Sequence, residues 1–312
     1  MDKIQAAPRE LKITSKRVIL TSFVVDLIDI VLNFVVAILS GSVIMLTEVF
    51  EGISDLVASG FLMIGFYRSS QKEDQAHPFG YGTEIYFWSL LSALIMFGLT
   101  SSLSFYFGLQ RVLDPKPISN MSIALTVLII AVITNGYAFT LSFLRLLRRR
   151  PIKHIARIFF RSSLVETKTT FTLDLMGTSS ALLGTISLGL YFFTGDQRFD
   201  GIGAMIIGIV LAIFSFFLIL GIRELLIGKS ASKETEEKIK NAALKVDEVE
   251  DVLGIKTMHL GTERLLVNLY VHMKSKLGTR ELERLIDEIE DNVRKEVPSA
   301  KYVQVELETS RK

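Results

Sequence analysis

The sequence predicts a polytopic α-helical membrane protein, with six transmembrane helices followed by a small soluble α/β domain. Three observations lead there. The chain has 312 residues, 49% of them hydrophobic, and a mean hydropathy of +0.41, which is too apolar for an ordinary soluble protein of this size. Nearly all the long apolar runs fall within residues 18–228, whereas residues 229–312 are charged and patterned like a soluble domain. The chain also has no cysteine, so disulfides and thiolate metal sites are both excluded.

Residues 1–17, "MDKIQAAPRELKITSKR", are polar and of mixed charge, without a signal-peptide pattern. The first apolar run is therefore expected to be retained. Six runs follow, at about 18–40, 43–66, 86–108, 118–144, 169–193 and 201–225, each near the roughly 20 residues that span a bilayer. The third and fifth are rich in Ser and Thr and are expected to face protein or a pore. Basic residues set the orientation. Lys3, Arg9, Lys12, Lys16 and Arg17 precede span one, Arg68 and Lys72 follow span two, and Arg145 to Arg161 follow span four. The opposite loops are short and poor in basic residues. Both termini and the 229–312 domain are thus expected in the cytoplasm, in a plasma or inner membrane. The run "LRLLRRRPIKHIARIFFR" follows a span directly, so topology and anionic headgroups explain it better than nucleic acid. A net charge of +2 calls for no acidic partner either.

The tail reads as α-β-β-α-β. "ETEEKIKNAALKV" is helical with Ile239, Ala242, Ala243 and Val246 on one stripe, and "TRELERLIDEIEDNVRKEV" turns Leu282, Leu285, Ile286, Ile289 and Val293 inward. "VEDVLGIKTMHL", "RLLVNLYVHMK" and "KYVQVELE" read as strands. Alternation sends Leu265, Val267, Leu269, Val271, Val303, Val305 and Leu307 inward. Asn268, Tyr270, His272, Gln304, Glu306 and Glu308 then face outward. The order fits a two-layer sandwich with helices on one face.

The chemistry lies in acids placed inside apolar spans. "TEVFEGISD" puts Glu48, Glu51 and Asp55 on one stripe of span two. At 1.5 Å per residue, Glu48 is about 9 Å and Asp55 about 20 Å from the start of the span. Each charge near the bilayer centre costs about 2.5–3.5 kcal/mol on insertion scales, so the group faces a wet cavity, is neutralised by protons, or holds a cation. Solvation near a membrane surface is the alternative, most of all for Glu48. Span five carries Asp174 with Thr170 and Thr178 one turn to either side, and Gly177, Ser180, Ala181 and Gly184 permit a close helix approach. Two such helices can present oxygens to one four-coordinate cation. Span one carries Asp26, Asp29 and Asn33; there Asn33 could bond a neighbouring helix backbone.

"SGSVIMLTEVFEGISDLVASGFLMIGFYRS" followed by "HPFGYGTEIYFWSLLSALIMFGL" resembles helices two and three of the cation diffusion facilitator family. "LQRVLDPKPI", "DGIGAMIIGIVL", "RELLIGKSA" and "IKTMHLGTERLLVNLYVHM" extend the resemblance over roughly residues 15–308. It implies a homodimeric divalent-metal/proton antiporter with six helices per subunit and a cytoplasmic ferredoxin-like domain, and no enzyme. It also implies a transport site with one pair of ligands four apart on helix two, here Glu51 and Asp55, and a second pair on helix five. Aligned on "SALLG", the second pair is Asp174 and Thr178, with a hydroxyl where the family has a final Asp. Carboxylates and hydroxyls suit Mn²⁺ or Fe²⁺ better than Zn²⁺, which imidazole and thiolate serve. The alternatives are Zn²⁺, Co²⁺ or Cd²⁺ efflux by the same mechanism, or a transport-inactive metal-sensing partner subunit. No permanent cofactor is implied.

Accessory metal candidates are Glu48; Asp74 and His77 in the loop after span two, where some relatives have His at Tyr81; and His272, Glu306 and Glu308 on the outer sheet face. A simple turn at "HPFGYG" and a solvated strand edge are the competing explanations for the last two groups. His154 in the basic linker reads as surface and His259 as the end of a strand.

Overall fold

The structure, a computed structural model, describes residues 15–147, 165–274 and 277–309, with the side chains of the first helix described from Leu27 onward. Residues 1–14 and most of the basic run, including His154, lie outside the described residues, as does the side chain of Asp26. The helices are α1 (Ser15–Ser40), α2 (Val43–Ser69), α3 (Glu84–Leu113), α4 (Met121–Leu147), α5 (Val165–Thr194) and α6 (Arg198–Ile227). Among the described helices, five are long and apolar enough to cross a membrane; α1 adds the shorter apolar stretch Leu27–Ser40. The fourth helix begins at Met121, three residues later than its apolar run, because Asn120 turns the backbone to φ 49°. Large apolar side chains such as Ile38, Phe66, Ile133 and Phe193 are exposed around the bundle, where lipid rather than water is their natural solvent.

Inside the bundle, Ser89, Ser92, Thr100, Ser101, Ser104, Thr172, Ser180 and Ser187 are buried, so the hydroxyl-rich third and fifth spans face protein. Small residues let backbones meet. A Cβ on Gly108 of α3 would lie 2.7 Å from the carbonyl oxygen of Gly201 of α6, and one on Gly201 only 2.5 Å from that of Gly108. Within α3, Met96–Thr100 form a π turn, and Ser101 Oγ donates to the carbonyl of Met96 across it at 3.2 Å. Such turns re-aim the following residues. Here the turn brings Thr100 against α2, where its hydroxyl bonds Ser54.

The second unit comprises α7 (Lys233–Ala243), β1 (Val249–Gly261), β2 (Arg264–Met273), α8 (Thr279–Glu296) and β3 (Ala300–Leu307). The sheet order is β1-β2-β3. β1 and β2 are antiparallel, and β3 returns parallel to β2 through α8, which fits a ferredoxin-like fold. Ile239, Ala242, Ala243, Leu265, Val267, Leu269, Val271, Leu285, Ile289, Val293 and Val303 close one core between helices and sheet. Leu307 departs from the alternation: it is 46% exposed. It pairs with Val271 at the last rung of the ladder and lies outside the buried core.

The loop between α2 and α3 rests on this unit. Glu73 accepts hydrogen bonds from the Lys301 ammonium and, at 2.7 Å, from the Tyr302 hydroxyl. Phe79 meets Tyr302 edge-on at 5.3 Å. Gly82 passes so close to β1 that a Cβ there would lie 2.1 Å from the Leu260 carbonyl oxygen. The two bonds and the Lys301 charge lower the Glu73 carboxyl to about 2.

Candidate metal centre

Helix α2 is anchored at its N-terminus by an acid from α6. Asp200 is fully buried. It accepts from Ser42 Oγ at 2.7 Å, from the Val43 amide at 2.9 Å and from the Ile44 amide at 3.1 Å. Arg111 of α3 pairs with it, Nε to Oδ2, at 3.4 Å; the same guanidinium donates to the carbonyls of Gly41 and Lys116. Free amides and the helix dipole make this end a natural seat for an anion. The clamp fixes α2, and with it the stripe of acids.

Along that stripe Glu48 and Glu51 are 7% and 4% exposed. Glu48 Oε1 accepts from Ser180 Oγ of α5 at 2.6 Å. Among the described residues, neither carboxylate oxygen of Glu51 has a hydrogen-bond partner. Asp55 lies one turn on, near enough for its charge to act on Glu51. From α1, Asp29 faces Glu48 and accepts from Asn33 Nδ2 at 3.1 Å. Asn33 therefore bonds an acid of its own helix, not a neighbouring backbone, because the four-residue spacing puts the two side chains one above the other.

The structure does not place the expected α5 pair against these acids. Asp174 sits beside Ser142 and Arg145 of α4, and Thr178 donates to the Asp174 carbonyl of its own helix at 2.7 Å. Ser180 of α5, in contrast, is bonded to an α2 acid, Glu48. The two hydroxyls are two residues apart, about 200° around the helix, so they face opposite ways. The small residues of α5 are also divided between neighbours: Gly177 packs on Asn135 of α4 and Gly184 on Ile44 of α2.

The accessory candidates are occupied locally. Asp74 accepts from the His77 amide and the Tyr81 hydroxyl, both at 2.7 Å, and these bonds hold its carboxyl below the usual range. The His77 and Tyr81 rings stack at 4.1 Å, closing a turn. His272 pairs with Glu250 of β1, Nε2 to Oε2, at 3.2 Å, and its Nδ1 lies 3.1 Å from the backbone carbonyl oxygen of Glu308. The charge acting with Glu306 and Glu308 is that of Lys256. Among the described residues, no group of three or more His, Cys, Asp or Glu side chains converges as a metal site. The α2 acids are spaced along the helix instead of gathered at one point.

Sequence reasoning missed Asp200, Arg111, Ser180 and Glu250. Asp200 left one signal, an acid in the first turn of an apolar span.

The chain matches the cation efflux transmembrane domain over residues 19–226. The chain belongs to the cation efflux family. Residues 231–310 match the cytoplasmic domain of the same proteins, and the chain is a multi-pass membrane protein. Among its relatives, the human "Proton-coupled zinc antiporter SLC30A9, mitochondrial" is 24% identical over 285 residues, covering 88% of this chain and 50% of that protein. Arabidopsis thaliana "Metal tolerance protein C4" is 26% identical over 228 residues, covering 72% and 50%. The "Cation-efflux pump FieF" of Pectobacterium atrosepticum is 21% identical over 264 residues, covering 85% and 83%. The chain spans about half the length of the first two. A nickel form of the MamM CTD aligns with 26% of this chain and all of that one, at 14% identity and a TM-score of 0.24.

Proposed function

We propose that this cation efflux protein exports divalent metal cations from the cytoplasm in exchange for protons, with Glu51 and Asp55 as the α2 ligands. Glu51 carries the reading: it is a membrane-buried carboxylate with no hydrogen-bond partner for either oxygen among the described residues. Left ionised and empty, such a group is costly, and a divalent ion or protons relieve that cost in turn. Asp174 and Thr178 complete the site in a second arrangement of the helices, in which α5 has turned Asp174 away from Ser142. The all-oxygen donor set favours Mn²⁺ or Fe²⁺; the name of the human relative favours Zn²⁺. Both termini lie in the cytoplasm, and the cytoplasmic domain pairs two copies. Exposed Leu244, Leu253 and Leu307 give that domain apolar surface to cover.

The position of Asp174 favours one second reading, a metal-sensing subunit without turnover. Proteoliposomes with an imposed pH gradient separate the two. Under the transport reading they accumulate Mn²⁺ or Fe²⁺ faster than Zn²⁺, Co²⁺ or Cd²⁺, and Asp55→Ala reduces uptake to background. Full uptake by Asp55→Ala would remove the site, and a wide preference for Zn²⁺ would overturn the choice of metal.

A further inference from the structure

We propose that Glu48, Ser180 and Glu51 form a second cation station, one helical turn from the Glu51/Asp55 pair on the side of the α2 N-terminus. The proposal rests on the transport reading for its role, though not for its existence as a binding site.

The geometry is specific. Ser180 Oγ, itself 1% exposed, bonds Glu48 Oε1 at 2.6 Å and is close enough to Glu51 to act on it as well. Glu51 is more than nine-tenths buried, with neither oxygen hydrogen-bonded to a described residue. One hydroxyl of α5 thus lies beside two carboxylates that follow one another along α2, Glu48 and, three residues on, Glu51. Glu48 makes a single hydrogen bond to a described residue, although an ionised carboxylate has room for about four. Among the described residues, the charged groups that face it are Glu51 on α2 and Asp29 on α1; α5 offers the neutral Ser180. A compact divalent ion that prefers oxygen ligands answers all of these features. The Ser180 hydroxyl keeps its proton and turns a lone pair to the ion.

The spacing suggests what the station does. Glu48 and Asp55 are two turns apart, about 10 Å along the axis, with Glu51 between them. An ion held by Asp55 and Glu51 passes to Glu51 and Glu48 by exchanging one carboxylate at a time. Glu51 is shared, so the ion is never without a negative ligand inside the bilayer.

The test uses the full chain in nanodiscs with Mn²⁺ alone as probe, and counts bound ions by equilibrium dialysis and Mn²⁺ electron paramagnetic resonance. Asp55→Ala is expected to keep an Mn²⁺ ion in the bundle, and Asp55→Ala with Glu48→Gln to lose it. Ser180→Ala weakens that ion by about tenfold, one neutral ligand's worth, and Ser180→Thr, which keeps the hydroxyl, restores it. Equal binding by Asp55→Ala and the double variant overturns the station, as does a Ser180→Thr protein that folds but behaves like Ser180→Ala. In flux, Glu48→Gln lowers the maximal rate while leaving the KM for Mn²⁺ on the loading side unchanged; a raised KM at unchanged maximal rate also overturns it. A wild-type protein that binds Mn²⁺ but moves none counts against the transport reading and leaves the binding comparison intact.

Discussion

Asp200 and Glu51 are both acids buried within the same helical bundle, and their surroundings are opposite. Asp200 has a hydroxyl, two backbone amides and a guanidinium on its two oxygens. Glu51 has no hydrogen bond from a described residue to either of its own. The first arrangement is that of a structural clamp, since every partner belongs to the protein and the charge is balanced in place. The second leaves an electrostatic deficit that, on the proposed reading, a metal ion or protons from outside fill. Burial alone therefore does not mark a functional acid in a membrane; on the proposed reading, burial without a hydrogen bond to the surrounding described residues does.

The comparison breaks most visibly if the clamp is removed. Asp200→Ala strands Arg111, whose side chain is 10% exposed, and leaves the amides of Val43 and Ile44 without their acceptor. Breaking a buried pair from one side costs about 3–5 kcal/mol. Thermal unfolding of the purified protein should show a fall of that order, with flux lost only in proportion to folded protein. An unchanged melting temperature would show that Asp200 is not a clamp at all.

His259 stands between the two cases. It lies at the end of β1, and its amide donates to the Lys229 carbonyl at 3.1 Å. Burial first, then the positive charges of Lys229 and Lys168, lower its imidazole from 6.5 to about 4. Its neutral form is thus the one the fold accepts. The stability that follows is complete above pH 6.5 and is lost as the pH falls toward 4, because the unfolded chain takes up the proton first. The slope is about 1–2 kcal/mol over that window once solvent screening is allowed for. Denaturant melts of the wild type beside His259→Gln should show it only in the wild type.

The fold was legible because hydropathy and period are local signals. Runs of about 20 apolar residues located the helices. Alternation found β2 and β3, failing at Leu307, where the strand outruns its core; β1, broken by bulges, does not alternate. Of the proposed site, one helix was legible: Glu48, Glu51 and Asp55 share a stripe whatever surrounds them. Its α5 side was not. Thr178 and Ser180 are both hydroxyls in "GTSSALLG", and a two-residue choice decides which neighbour each one meets. That choice depends on how α5 is rotated against α2 and α4, a tertiary quantity that no short window contains. Asp200 was hidden for the same reason, since its partners at Ser42 and Val43 are more than 150 residues away in the chain.

The smallest effect on stability belongs to Glu51, and it completes the contrast. Glu51→Gln keeps the shape of the side chain, removes the charge and breaks no hydrogen bond to protein. The melting temperature should therefore move by no more than about 3 °C, while metal uptake falls to background. The two variants then separate in opposite directions: Asp200→Ala loses fold before function, and Glu51→Gln loses function without fold. A Glu51→Gln protein as unstable as Asp200→Ala would mean that Glu51 has structural partners after all, and the distinction between answered and unanswered acids would not hold in this bundle.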